Sequence, residues 1–195
     1  MTDAAPKVPR RRFTLRVRWL LIATALMAVA LGLLANGAAG RRRAIEVVRR
    51  HGGVVLTVPT PLDEWVPERV RRSLGPGWFE RIDKVTFQNG VELGAEPIRA
   101  LAAAGGLRDL DVGGAEVAEE AIQALGALDG LESLSLTGCR FDPSSLGALA
   151  SLDGLQSLAL IRSDVDDAGL AGLAALKGVQ ILYIDDTRSE ERRVG

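Results

Sequence analysis

The chain of 195 residues holds one histidine, His51, and one cysteine, Cys139, and those two counts remove most catalytic chemistry. A His-based metal cluster or a Ser-His-Asp relay needs more imidazole and a convergent geometry. His51 follows Arg49 and Arg50 and precedes Gly52-Gly53, the setting of a solvated side chain before a turn. Carboxylates occur as adjacent pairs, Asp166-Asp167 and Asp185-Asp186. Neighbours in sequence point apart on a strand or turn, so neither pair is placed to share a proton. Gly105-Gly106 and Gly113-Gly114 lack the Lys-Ser/Thr that completes a phosphate-binding loop. Cys139 has no disulfide partner and reads as a small buried residue. No catalytic residue, cofactor or metal site is expected, and the chain is read as a non-enzyme.

What must be positioned instead is a surface, and a repeat positions it. Leu107-x-x-Leu110-x-Val112 recurs as Leu131-x-x-Leu134-x-Leu136, Leu155-x-x-Leu158-x-Leu160 and Val179-x-x-Leu182-x-Ile184, at a spacing of 24 residues. A looser copy, Ile82-x-x-Val85-x-Phe87, comes 25 residues earlier. The end of each copy alternates as a strand does. Ile122, Leu125 and Leu128 recur as Leu146, Leu149 and Leu152 and as Leu170, Leu173 and Leu176, three apart, on one face of a short helical return. Val117, Phe141 and Val165 bridge strand and return, giving seven inward positions per unit. Seven aliphatic side chains contribute roughly 10–20 kcal/mol gross, against several tens for ordering 24 residues. One unit cannot fold alone; stacked units share an interior. The ninth position, where the chain turns inward, carries Gly90, Ala115, Cys139, Ser163 and Thr187.

These units resemble the bacterial 24-residue leucine-rich repeat, with Asp164-Val165-Asp166-Asp167-Ala168-Gly169-Leu170 the nearest copy of its consensus turn and helix start. The resemblance implies an α/β leucine-rich repeat solenoid of about five units over 82–187, with short parallel strands and helical returns. Strand residues between the core leucines then face the concave side. One column is Thr86, Asp111, Ser135, Ala159 and Tyr183; its neighbour is Lys84, Asp109, Ser133, Ser157 and Ile181. Ile161, Ile181 and Tyr183 form an apolar group near the last unit. Asp109, Asp111, Ser133, Ser135, Ser157, Ile161, Ile181 and Tyr183 are the candidate partner-binding residues.

Ahead of the repeats, a basic leader (1–18) precedes 22 residues without formal charge, Trp19 to Gly40. At ~1.5 Å per residue a helix over 19–40 matches a ~30 Å hydrocarbon core, so a transmembrane helix or signal-anchor is expected. Its partner would be the lipid bilayer. Six basic residues before the span and five soon after leave orientation nearly balanced, and an N-terminus in the cytoplasm is favoured. The small residues Ala35-Asn36-Gly37-Ala38-Ala39 offer an alternative, cleavage near Ala39 and release of a secreted or periplasmic protein. Residues 1–50 carry 11 Lys and Arg against Asp3 and Glu46; residues 51–195 carry 13 against 23 acidic ones. The acidic repeats argue against nucleic acid.

Residues 41–81 read as linker and N-terminal cap. Val54–Val58 can form a strand closed by Pro59, 68–74 a short helix with Pro67 at its start, and Trp65, Trp78 and Phe79 supply apolar cover. Gly52, Gly53, Val55, Leu74, Gly75, Trp78, Phe79, Ile82 and Val85 resemble a motif of planctomycete-type membrane-anchored leucine-rich repeat proteins. That resemblance implies a membrane-anchored platform for protein–protein interaction. The tail 188–195 departs from the repeat and suggests a truncated gene, so a remnant of a larger protein with its catalytic part missing is a further alternative.

Overall fold

The computed structural model describes residues 11–60, 66–74, 78–88 and 90–185. The leader up to Arg10, Trp65, residues 75–77, Asp186, Thr187 and the tail 188–195 lie outside the described residues. The chain divides into two compact units between Gly37 and Ala38. Helix α1 has the bounds Arg11–Arg50. Within the first unit it exposes Trp19, Ile22, Leu26 and Met27.

The expected transmembrane helix or signal-anchor over 19–40 is corrected here. So are the single-pass cell-membrane localisation and cytoplasmic N-terminus that followed from it. Among the described residues, no helix is long and apolar enough to cross a membrane. A span needs about 20 consecutive, predominantly apolar residues. Asn36, Gly37 and Gly40 confine the strongly apolar part of the stretch to residues 19–35, at the short end of that requirement. Nor does the helix give way to a linker at Arg41. It continues to Arg50, and Ala38, Ala44 and Val48 are buried in the second unit.

The second unit is mixed α/β. After α1 come β1 (Gly53–Pro59), α2 (Glu68–Leu74), β2 (Glu80–Phe87), β3 (Glu92–Leu93), α3 (Ala95–Ala104), β4 (Asp109–Gly113), β5 (Glu116–Val117) and α4 (Glu119–Leu125). Then follow β6 (Ser133–Thr137), a 3₁₀ segment (Pro143–Ser151), β7 (Ser157–Ala159), α5 (Asp167–Leu173) and β8 (Ile181–Tyr183). The main sheet has six strands in the order β1-β2-β4-β6-β7-β8; β3 and β5 pair in a second, two-stranded one. All pairs are parallel except β1 with β2. The expected leucine-rich repeat solenoid of about five units behind a transmembrane helix is thus corrected to a mixed α/β architecture with a mostly parallel six-stranded sheet, opened by an antiparallel strand and carrying no membrane-spanning helix among the described residues.

Parallel pairing follows the sequence spacing. Val85 pairs with Leu110, Leu110 with Leu134, Leu134 with Leu158, and Leu158 with Leu182. The first four are buried to within 1% of full burial, whereas Leu182 is 49% exposed. Behind this line of leucines sit the returns. Ile98 and Leu101 of α3, Ile122 and Leu125 of α4, and Leu146 and Leu149 of the 3₁₀ segment are all buried. The 3₁₀ form suits its sequence, because leucines three apart fall on one edge at three residues per turn. Pro143 starts it with a pre-set φ, and Asp142 caps it by accepting from the backbone N–H of Ser144 at 2.9 Å.

The inward turn between strand and return uses a left-handed residue at the same place in successive coils, each coil being one parallel strand and the return after it: Gly90, Gly114, Gly138 and Arg162, with φ of 82°, 57°, 67° and 53°. Gly90 therefore aligns with Gly114, to which its N–H donates at 3.1 Å, and not with Ala115 as a count of nine positions suggests. The pairing offset explains the slip: β2 and β4 are 25 residues apart, while β3 and β5 are 24 apart. Arg162 alone of the four has a side chain in this region, at a cost of about 1–2 kcal/mol.

The buried end of α1 approaches β1 closely at Gly53. A Cβ there would lie 2.4 Å from Val48 Cγ1 and 2.8 Å from the ring of Phe87. Gly53→Ala is expected to destabilise the second unit by about 1–3 kcal/mol through overpacking. A lowered urea midpoint followed by far-UV circular dichroism would check it; an unchanged midpoint would show that the helix does not rest on this strand.

Candidate functional site

Alternation along each strand turns one set of side chains into the core and the next out of it. With Val85, Leu110, Leu134 and Leu158 inside, the flanking residues on either side must share the other face. Register then builds two columns. Lys84, Asp109, Ser133, Ser157 and Ile181 pair in succession, and so do Thr86, Asp111, Ser135, Ala159 and Tyr183. Seven of the eight candidate residues are thereby brought onto one sheet face. The eighth, Ile161, lies just after β7, half-buried, with its carbonyl accepting the Gly138 N–H at 2.7 Å.

The face has a charged side and an apolar side. Lys84 Nζ donates to Asp109 Oδ2 at 2.9 Å, and both side chains are more than a third exposed. This hydrogen bond is the main cause that raises the Lys84 pKa above its usual value, with attraction from Asp109 and Asp111 adding to it and slight burial opposing. One step along the sheet, Arg108 Nε meets Glu132 at 3.3 Å. Ser135 and Thr137 hydroxyls lie 3.1 Å apart. At the far side Ile181 and Tyr183 are about half exposed, at 48% and 54%.

The structure adds a second apolar margin. In β1, Leu56 pairs with Lys84 and Val54 with Thr86, extending both columns by one strand, and these two side chains are 56% and 52% exposed. The sequence signal is faint, since Val54-Val55-Leu56-Thr57-Val58 is nearly continuous and gives no alternation to choose a face. The open face therefore runs from Val54 and Leu56, across Asp, Ser and Thr, to Ile181 and Tyr183. Six strands at ~4.8 Å separation make it about 24 Å wide.

Elsewhere the polar residues have structural tasks. Asp166 Oδ1 caps α5 by accepting from Gly169 N–H at 2.8 Å. His51 Nδ1 lies 2.9 Å from the carbonyl of Val47, in the last turn of α1. Among the described residues, no group of His, Cys, Asp and Glu is arranged to hold a metal ion. The Ser163 hydroxyl donates to the Leu136 carbonyl one coil earlier and accepts from the Cys139 backbone N–H at 3.3 Å. Cys139 Sγ repeats the pattern, lying 3.3 Å from the Val112 carbonyl. At these two positions the turn column ties a coil to the one before it.

Burial pushes the Cys139 thiol up from its ordinary pKa, with contacts to the Ala115 and Gly114 backbone opposing more weakly. The residue is 1% exposed. Only the thiolate is an effective nucleophile, so native Cys139 is expected to resist iodoacetamide at pH 8 and to react fully in urea. Intact-mass spectra would report it; rapid alkylation of the folded chain would contradict this placement. Compared with known proteins, the chain matches no family model and no curated protein.

Proposed function

We propose that this chain is a non-catalytic platform for protein–protein recognition and that the open sheet face is its contact surface. The carrying observation is the pairing register, which gathers Asp109, Asp111, Ser133, Ser135 and Ser157 into adjoining columns ending on Ile181 and Tyr183. Short side chains let a partner come close to a rigid sheet. The exposed aromatic and aliphatic groups at its margin provide the anchors that dominate most interfaces. Asp109 and Asp111 favour a partner presenting basic side chains, and the acidic balance of residues 51–195 adds a long-range attraction of the same sign. Rows of small polar residues on a stacked sheet suit display more than reaction, because no nucleophile, base and orienting group converge among the described residues of this face.

Photo-crosslinking identifies the contact directly. A benzoylphenylalanine introduced at Ser135 should capture a specific protein, while the same group at the exposed Gln123 of α4 should not. The double variant Asp111→Lys, Tyr183→Ala should weaken that partner's affinity by about tenfold or more, since loss of one anchor and one charge exceeds about 1.4 kcal/mol. Equal capture at both positions, or undiminished affinity of the double variant, would remove this face from consideration.

A further inference from the structure

Four times in the chain an Asn or Asp is followed by glycine: Asn36-Gly37, Asn89-Gly90, Asp129-Gly130 and Asp153-Gly154. At such a pair the glycine nitrogen, shielded by no side chain, can attack the Cγ of the residue before it. The attack needs that nitrogen free of a hydrogen bond. The fold meets the need at two of the four. Gly37 lies within α1, whose ladder of backbone bonds takes up its N–H. The Gly90 N–H donates to the Gly114 carbonyl at 3.1 Å.

Asp129-Gly130 and Asp153-Gly154 stand instead in exposed turns that lead from a helical return into the next strand. Buried Leu128 and Leu131 flank the first pair, and buried Leu152 and Leu155 the second. In each turn the N–H of the later leucine donates to the carbonyl of the earlier one, at 3.3 and 3.2 Å. A β-turn closed in this way makes no use of the N–H of its third residue, which here is the glycine. Among the described residues, neither the Gly130 nor the Gly154 N–H has an acceptor. Gly130, at φ 85°, has nothing within 4 Å of where a Cβ would stand, so the space beside it is open. One coil on, the same turn carries Lys177-Gly178, which has no carboxyl to react.

We propose that Asp129 and Asp153 are sites of spontaneous isoaspartate formation in the folded chain, with water as the only co-reactant. The glycine nitrogen bonds to the aspartyl Cγ, and the amide proton and the hydroxyl of the protonated carboxyl leave as water, closing a succinimide ring. Water then opens the ring. Breaking the new N–Cγ bond restores aspartate. Breaking the bond from nitrogen to the aspartyl backbone carbonyl carbon leaves the main chain running through Cβ and Cγ, one methylene longer, between two leucines of the core. The test ages the full chain for weeks at neutral pH, folded and in urea. Mass spectrometry with electron-transfer fragmentation reads the four peptides, separating isoaspartyl from aspartyl backbone and registering asparagine deamidation as a gain in mass. Folding should slow reaction at Asn36 and Asn89 by about tenfold or more, because each waits for its glycine amide to leave a hydrogen bond. Asp129 and Asp153 should stay within about threefold of their rates in urea, having no such bond to open. Asp129→Glu, whose longer side chain closes a ring far less readily, should lose the isomer at that peptide and keep the one at Asp153. No isoaspartate at Asp129 or Asp153 in the folded chain, equal slowing of all four sites on folding, or an isomer that persists in Asp129→Glu would each overturn the proposal.

Discussion

The structure depends on one constraint: no coil can bury its own leucines, so each must complete its interior on a neighbour. Leu110, Leu134 and Leu158 reach full burial because each has a paired strand on both sides. Leu182 occupies the same position but has a described strand on one side only, and half of it meets solvent. A fully buried leucine contributes about 1.5–3 kcal/mol, so the contrast between Leu158 and Leu182 measures what one neighbour supplies. Backbone hydrogen bonds follow the same logic. The Ser133 N–H donates to the Arg108 carbonyl, the Ser157 N–H to that of Glu132, and the Ile181 N–H to that of Gln156, one coil at a time.

That constraint also fixes the outward face. Once the leucines are locked inward, a register slip of one residue would carry every one of them into solvent. Asp109, Ser133 and Ser157 are therefore held in line chiefly by the burial of Leu110, Leu134 and Leu158 beside them. The polar tie at Ser163 and Cys139 works from the opposite end of each coil, binding the carbonyls of Leu136 and Val112. The open face is thus positioned by residues that do not lie on it.

Much of this is legible in the sequence because the pattern repeats. The spacing of 24 alone identifies the partners of Ser133 and Ser157, since equal spacing means equal height on adjacent parallel strands. Features that occur once leave no such trace. The antiparallel pairing of β1 has no second copy to reveal it, so nothing in the repeat marks Val54 and Leu56 as part of the open face. Counting positions sets Gly90 one place off because the first coil has an extra residue between strand and turn. Uncharged residues 19–40 suggest a membrane span by length and lack of charge. Composition alone does not show that α1 continues through Arg41–Arg43 and buries Ala44 and Val48. Nor does it show that this flank lines an open groove beside β1. The β1 pairing and the burial of Ala44 and Val48 both involve tertiary contacts between segments unrelated by the repeat.

The shared interior is tested most directly by hydrogen exchange, read by mass spectrometry, on a Leu134→Ala variant. A common spine predicts faster exchange in Asp109–Gly113 and Ser157–Ala159 as well as in Ser133–Thr137, because removing one leucine uncovers both neighbours. Faster exchange confined to Ser133–Thr137 would contradict the account, since it would mean that each coil holds itself together.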